Sequence, residues 1–103
     1  MVYDVIRKSP ELRRDFRLVN QVQDASVSSM SNIAEGFSRK GTKEFIQFLF
    51  ISKSSAAEVQ SHFYVALDQG YASEADFRAV YDQAEVVSKL GSGFIKYLES
   101  QKR

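Results

Sequence analysis

The chain has 103 residues, 44% hydrophobic and 26% charged, with a net charge of +1. This is the size and balance of one small folded domain over residues 1–103. With no cysteine and a single histidine, His62, the sequence excludes disulfides, thiolate chemistry, Cys-based metal sites and any multi-histidine centre.

The N-terminal "MVYDVIRK" reads as a short helix. Ser9 is a candidate N-cap for the next one, with Pro10 at its first position and Glu11 at the positive end of the dipole. From Pro10 the apolar residues Leu12, Phe16, Val19, Met30, Ile33 and Phe37, with Val22 beside them, predict one long amphipathic helix to about residue 38. Small residues at Ala25, Ser26 and Ser29 would let a neighbouring helix come close.

"SRKG" ends that helix, with Gly41 expected to be left-handed and Thr42 to cap the following segment. The stripe Phe45, Leu49, Ser52, Ala56, Val59, Phe63 and Ala66 marks its core side. Phe45, Ile46, Phe48, Leu49, Phe50 and Ile51 surround its first turns on nearly every side. A helix end that is apolar all round is buried from several directions, so Phe45, Ile46, Phe48, Phe50 and Ile51 are assigned to an oligomer interface. "DQGYAS" forms the next turn, with Gly70 as stop signal and Ser73 as cap of the last helix. Its stripe is Phe77, Val80, Tyr81, Ala84, Val87, Leu90, Phe94 and Leu98; Gly91 and Gly93 mark close packing or a bend. No segment alternates as a strand does. The prediction is an all-α, up-down four-helix bundle with a short or truncated first helix.

Searching for chemistry gives little. His62 with Glu58 one turn before it lacks any nucleophile motif, and Glu11 with Asp15 or Glu74 with Asp76 sit at helix starts, where the dipole explains them. The expectation is no enzyme, no cofactor and no metal. The longest apolar run, "FIQFLFIS", is far short of the roughly 20 residues a membrane span needs. The N-terminus also has no apolar stretch of the secretory kind, so a cytoplasmic protein without membrane contact is expected.

The segment "SNIAEGFSRKGTKEF" stands out. Ile33 and Phe37 are expected to face the core with Met30, while Ala25, Ser29, Asn32 and Gly36 form a flank of small or polar residues at spacings of four, three and four. Glu35 and Arg39 stand in the favourable order for an ion pair. Asn32 could bridge to a neighbouring backbone. The residues Ser29, Asn32, Glu35, Gly36 and Arg39 thus read as a helix-docking flank or as a surface for a partner, and assembly is the favoured of the two. Basic residues cluster as well: residues 1–53 hold nine Lys and Arg against six acids, and residues 54–103 hold five against seven. Arg13, Arg14, Arg17, Arg39, Lys40 and Lys43 are the candidate nucleic-acid contacts.

"SVSSMSNIAEGFSRKGTKEFIQFLFISKSSAAEV" resembles the 23S rRNA intervening-sequence protein family, also called four helix bundle proteins. The likeness rests on Asn32 to Gly36, Arg39, Lys43, Glu44, Phe45, Ile46, Phe48, Leu49, Ser55 and Glu58, and extends over about residues 3 to 98. It implies a bundle assembled as a ring, typically a homopentamer, that serves as a binding or scaffold module of unsettled cellular role. Some members are encoded inside insertions in bacterial ribosomal RNA genes. A related basic pentamer binds a reverse transcriptase and nucleic acid, which implies structured RNA or a nucleic-acid-processing protein as partner. Ser54 replaces the usual glycine, and the first helix is shorter than usual and lacks tryptophan. The short first helix implies a truncated or mis-started chain, or a neighbouring element over an exposed groove.

Overall fold

The computed structural model describes residues 1–39 and 41–101, and among them are five helices and no strand. Helix α1, Val2–Lys8, stops at Ser9, which is extended (φ −113°, ψ 104°). A residue before proline is pushed out of the helical region by the ring. Helix α2, Pro10–Arg14, then starts on the Ser9 cap, whose hydroxyl oxygen accepts from the Leu12 N–H at 3.2 Å. The same hydroxyl donates to the Tyr71 carbonyl at 2.6 Å, tying this junction to a turn 62 residues away.

The long helix predicted from Pro10 is broken after one turn. Asp15 leaves the helical region (φ −86°, ψ 82°), and its carboxylate accepts from the Leu18 N–H at 3.1 Å to cap α3, Phe16–Ser38. A short acidic side chain that bonds the backbone ahead of it favours such a restart over continuation. The bundle therefore has two short helices followed by three long ones.

Helix α4 runs Thr42–Asp68 and α5 runs Glu74–Gln101. Gly41 is the N-cap residue of α4, in extended conformation (φ −92°), so neither the left-handed Gly41 nor the Thr42 cap is found. Gly70 is left-handed (φ 74°), and the Tyr71 and Ala72 N–H groups both return to the Ala66 carbonyl. Ser73 caps α5 by accepting from the Asp76 N–H at 3.1 Å. The last helix passes through Gly91 and Gly93 without interruption.

Helices α3, α4 and α5 run up, down and up, with α4 packed against both of the others. The main core joins Leu12, Val22, Phe63 and Val80 to Val5 and Ile6 of α1. A smaller cluster of Ile46, Leu49 and Ile95 holds the other end. Ile46 is therefore core of its own chain, not open interface: one side of the apolar α4 start turns inward.

The two predicted stripes hold in part: Leu12, Val22, Phe77, Val80 and Ala84 are buried, and Val19, Ile33, Tyr81, Val87 and Leu98 pack against the core. On α3 the buried residues are Leu18, Val22, Ala25, Ser29 and Gly36, whereas Phe16, Met30 and Phe37 are 75%, 63% and 62% exposed. On α5, Gly91 and Ile95 are buried while Leu90 is 67% exposed and Phe94 is exposed as well. Where the pattern departs, Ser29 and Gly36 on α3 and Gly91 on α5 stand against α4. Closely spaced helices leave no room for a Met or Phe side chain between their backbones.

Candidate assembly and recognition surfaces

The α3–α4 contact is a seam of hydroxyls and small side chains. Ser52 on α4, 2% exposed, donates to the Ser29 carbonyl of α3 at 2.6 Å. One turn away, the Ser28 and Ser55 hydroxyls share a hydrogen bond of 2.8 Å. Asn32 does not bridge directly to another helix as expected. Its amide donates to the Ser28 carbonyl (2.8 Å) and hydroxyl (2.9 Å) of its own helix, and so reaches α4 only through Ser28. Each bond is short-range and directional, so the seam sets helix register more than it adds stability.

Gly36 ends the seam. A Cβ built there would lie 2.7 Å from the Phe45 ring and 3.2 Å from the Phe48 Cβ, so a larger residue does not fit without displacement. Phe45 stacks in turn with Phe37 (ring centroids 5.0 Å apart) and Phe94 (5.3 Å), and Phe37 meets Phe94 edge-on at 5.9 Å. These three rings close one end of the groove between α3 and α5. Arg39 pairs with Glu35 at 2.6 Å, approaches Glu44 at 3.9 Å and lies over the Phe48 ring at 5.1 Å. Of the flank residues, Ser29 and Gly36 are buried and Asn32 half-buried, while Glu35 and Arg39 remain on the surface.

Of the five residues assigned to an interface, Phe45 and Phe48 are half-buried, Ile46 is buried, and only Phe50 and Ile51 are exposed. Exposed Tyr64 and Val65 lie further along α4. Neither stands out in the sequence, because an isolated apolar pair on a mixed helix face carries less signal than the dense apolar run at the start of α4. Along the α3–α5 groove, Met30, Ser26 and Ser29 face Gln83, Ala84 and Val87 around a cavity of about 280 Å³. Met1 and Val2 of α1 also line it.

The candidate basic contacts are not gathered. Arg13, Arg14 and Arg17 lie where α2 gives way to α3, whereas Arg39 and Lys43 sit beyond the far end of α3. The 23 residues of α3 separate the groups by about 34 Å at 1.5 Å per residue. Arg13 is occupied with the Arg7 carbonyl and Arg39 with Glu35, while Arg14 and Arg17 are exposed. Lys40 lies outside the described residues.

On the opposite side of α5, Gln60 of α4 donates to Glu85 (2.9 Å) and to the Tyr81 carbonyl (3.2 Å). Tyr64, Phe77 and Tyr81 form a second aromatic cluster there. The Tyr81 phenol is held above its ordinary pKa, first by the Tyr64 phenol beside it, then by burial and Glu85, against the opposing pull of Arg78. His62 is half-buried one turn from exposed Glu58.

The family model described as 23S rRNA-intervening sequence protein matches residues 1–93. The chain belongs to that family. The matched span takes in α1 to α4 and most of α5. The Gly36–Phe45 contact and the whole serine seam thus lie within the part shared with the 23S rRNA-intervening sequence proteins. A search of curated proteins gives no match. Among the described residues, no helix of this family member is long and apolar enough to cross a membrane.

Proposed function

We propose that the chain is a non-enzymatic, cytoplasmic scaffold or binding module that works as a homo-oligomeric ring, with the pentamer implied by the family resemblance as its form. The observation that carries the reading is the apolar bulk left uncovered. Phe50, Ile51, Tyr64 and Val65 on α4, with Met30 and Leu90 on α3 and α5, are exposed on a rod 51 Å long and 20 by 17 Å across. Exposed apolar side chains grouped as Phe50 with Ile51 and Tyr64 with Val65 support a contact with another macromolecule. Sedimentation at micromolar concentration tests it: an assembly several times the 11.7 kDa chain mass is expected, and a cooperatively folded monomer overturns it.

A second reading, recognition of structured RNA or of a nucleic-acid-processing protein, draws on Arg14 and Arg17. Both are exposed and make no ion pair among the described residues. A ring brings one such basic end from every copy to the same face. Binding to a structured RNA should then weaken steeply with salt as counterions are released. Affinity independent of salt, or no binding of RNA or DNA at low salt, removes this reading.

A further inference from the structure

The groove between α3 and α5 is not filled to its floor. Ser29 of α3, Ala56 of α4 and Ala84 of α5 are all small and buried, and between them lies the cavity of about 280 Å³. Small buried residues alone make a hollow, not a site.

One wall carries a hydrogen-bonding group that the fold does not use. Ser29 is 6% exposed, and its carbonyl accepts from Ser52 across the seam. The hydroxyls of Ser28, Ser52 and Ser55 are all engaged in that seam. Ser31, Ser38 and Ser100 donate theirs to a carbonyl three residues back in the same helix, a common resort of helical serines. The Ser29 hydroxyl does neither and makes no hydrogen bond among the described residues. Nor is it sealed within the packing, since every fully buried side-chain oxygen or nitrogen among the described residues has a partner. It therefore opens on the cavity that Ser29 lines. Ser26, one turn before it, and Gln83 on α5 line the same cavity, and neither side chain makes a hydrogen bond among the described residues.

The lining selects the ligand. None of the lining side chains is charged, and a charge moved out of water without a partner costs far more than a neutral group. The amino group of Met1, at one end of the cavity, lies 3.9 Å from the Asp4 carboxylate. A neutral ligand is therefore required. An apolar cavity of about 150 Å³ accepts benzene, so this one has room for a body of about two fused rings.

We propose that this cavity is a binding site for a small neutral molecule with an apolar body of two-ring size and one polar group. The polar group bonds the Ser29 hydroxyl, and the body sits on Ala56 and Ala84. The site does not depend on the oligomeric reading, and its test uses the full chain in whatever assembly it forms.

Two probes with the same body, β-naphthol and naphthalene, are titrated into the isotope-labelled protein, and amide shifts are followed by NMR. Both should give saturating shifts centred on Ser29, Ala56 and Ala84. Binding of β-naphthol should be about three- to tenfold tighter, the worth of one hydrogen bond. Ser29→Ala should bring β-naphthol down to the affinity of naphthalene and leave naphthalene binding as it was. Ala84→Leu, which runs a side chain into the cavity, should abolish binding of both. Circular dichroism and cooperative melting first check that each variant is folded, and Ser29→Ala decides alone if Ala84→Leu is not. Any of four results overturns the site and leaves a solvent-filled hollow: no saturable shift at these residues, shifts centred on Phe50 or Tyr64, equal affinity of the two probes for the parent, or a β-naphthol preference that survives Ser29→Ala.

Discussion

Gly36 on α3 and Phe45 on α4 approach so closely that a Cβ at position 36 would stand 2.7 Å from the ring. Two effects oppose each other in Gly36→Ala. Alanine favours the helix by about 1 kcal/mol, but overpacking costs typically about 1–3 kcal/mol. The Phe45 ring is held by Phe37 and Phe94, and the Phe48 Cβ at 3.2 Å is tied to backbone, so neither gives way cheaply. Overpacking wins, and urea unfolding should show Gly36→Ala less stable by about 1 kcal/mol. A gain in stability would mean that the contact is looser than described.

Gly93 is the converse. A Cβ there meets nothing within 4 Å, although the residue lies inside α5. Gly93→Ala should therefore stabilise the fold by about 0.5–1 kcal/mol through helix propensity alone. Thermal melts of the two glycine variants should move in opposite directions.

Ser52 is nearly fully buried and donates across the seam to the Ser29 carbonyl. Ser52→Ala removes one hydrogen bond and should cost about 1 kcal/mol. Ser52→Leu, the residue a hydrophobic pattern would suggest, forces α3 away from α4 and should cost about 1–3 kcal/mol. If leucine at this position proved more stable than serine under denaturant, the seam would not be the close contact described.

The Glu35–Arg39 pair lies in the open, with side chains 48% and 43% exposed. Exposed pairs one helical turn apart contribute about 0.3–0.5 kcal/mol and are screened by salt. Glu35→Gln should therefore shift stability by no more than about 0.5 kcal/mol, with the difference vanishing at 1 M salt. A much larger loss would place Glu35 in a contact beyond this ion pair.

Tyr81 links the fold to alkaline pH. Its phenol is raised above 10.0, chiefly by Tyr64, so the folded state favours the neutral form. That contribution is full below the unfolded pKa and is lost as pH rises through the higher folded value. Absorbance titration at alkaline pH should show a late-ionising tyrosine that disappears in Tyr81→Phe. The variant should also lose less stability than the parent on moving above pH 10.0. An unchanged late component in Tyr81→Phe would assign it to another tyrosine.

Local signals in the sequence determined the all-α class, the positions of the long helices and several of their ends. Ser9 before Pro10, Gly70 and Ser73 each act within a few residues of themselves, through a cap bond or a left-handed turn. The α4 stripe from Leu49 to Ala66 was legible for a related reason: α4 lies between two helices, so its apolar side is also its core side. Asp15 is equally local, but an acid near a helix start fits the dipole as well as a cap, so its role in restarting α3 shows only in the bond from the Leu18 N–H.

Val22, Phe77, Val80 and Ala84 are buried as their periodicity predicts, but tertiary structure alone decided where the buried side of α3 and α5 departs from that pattern. Sequence periodicity ranks residues by hydrophobicity and so chose Met30, Phe37 and Leu90 for the core. Packing ranks them by the distance between backbones, and close approach to α4 selected Ser29, Gly36 and Gly91 instead. The seam and the exposure of Met30, Phe37 and Leu90 have one cause. Putting the small residues inside turns the large apolar ones outward.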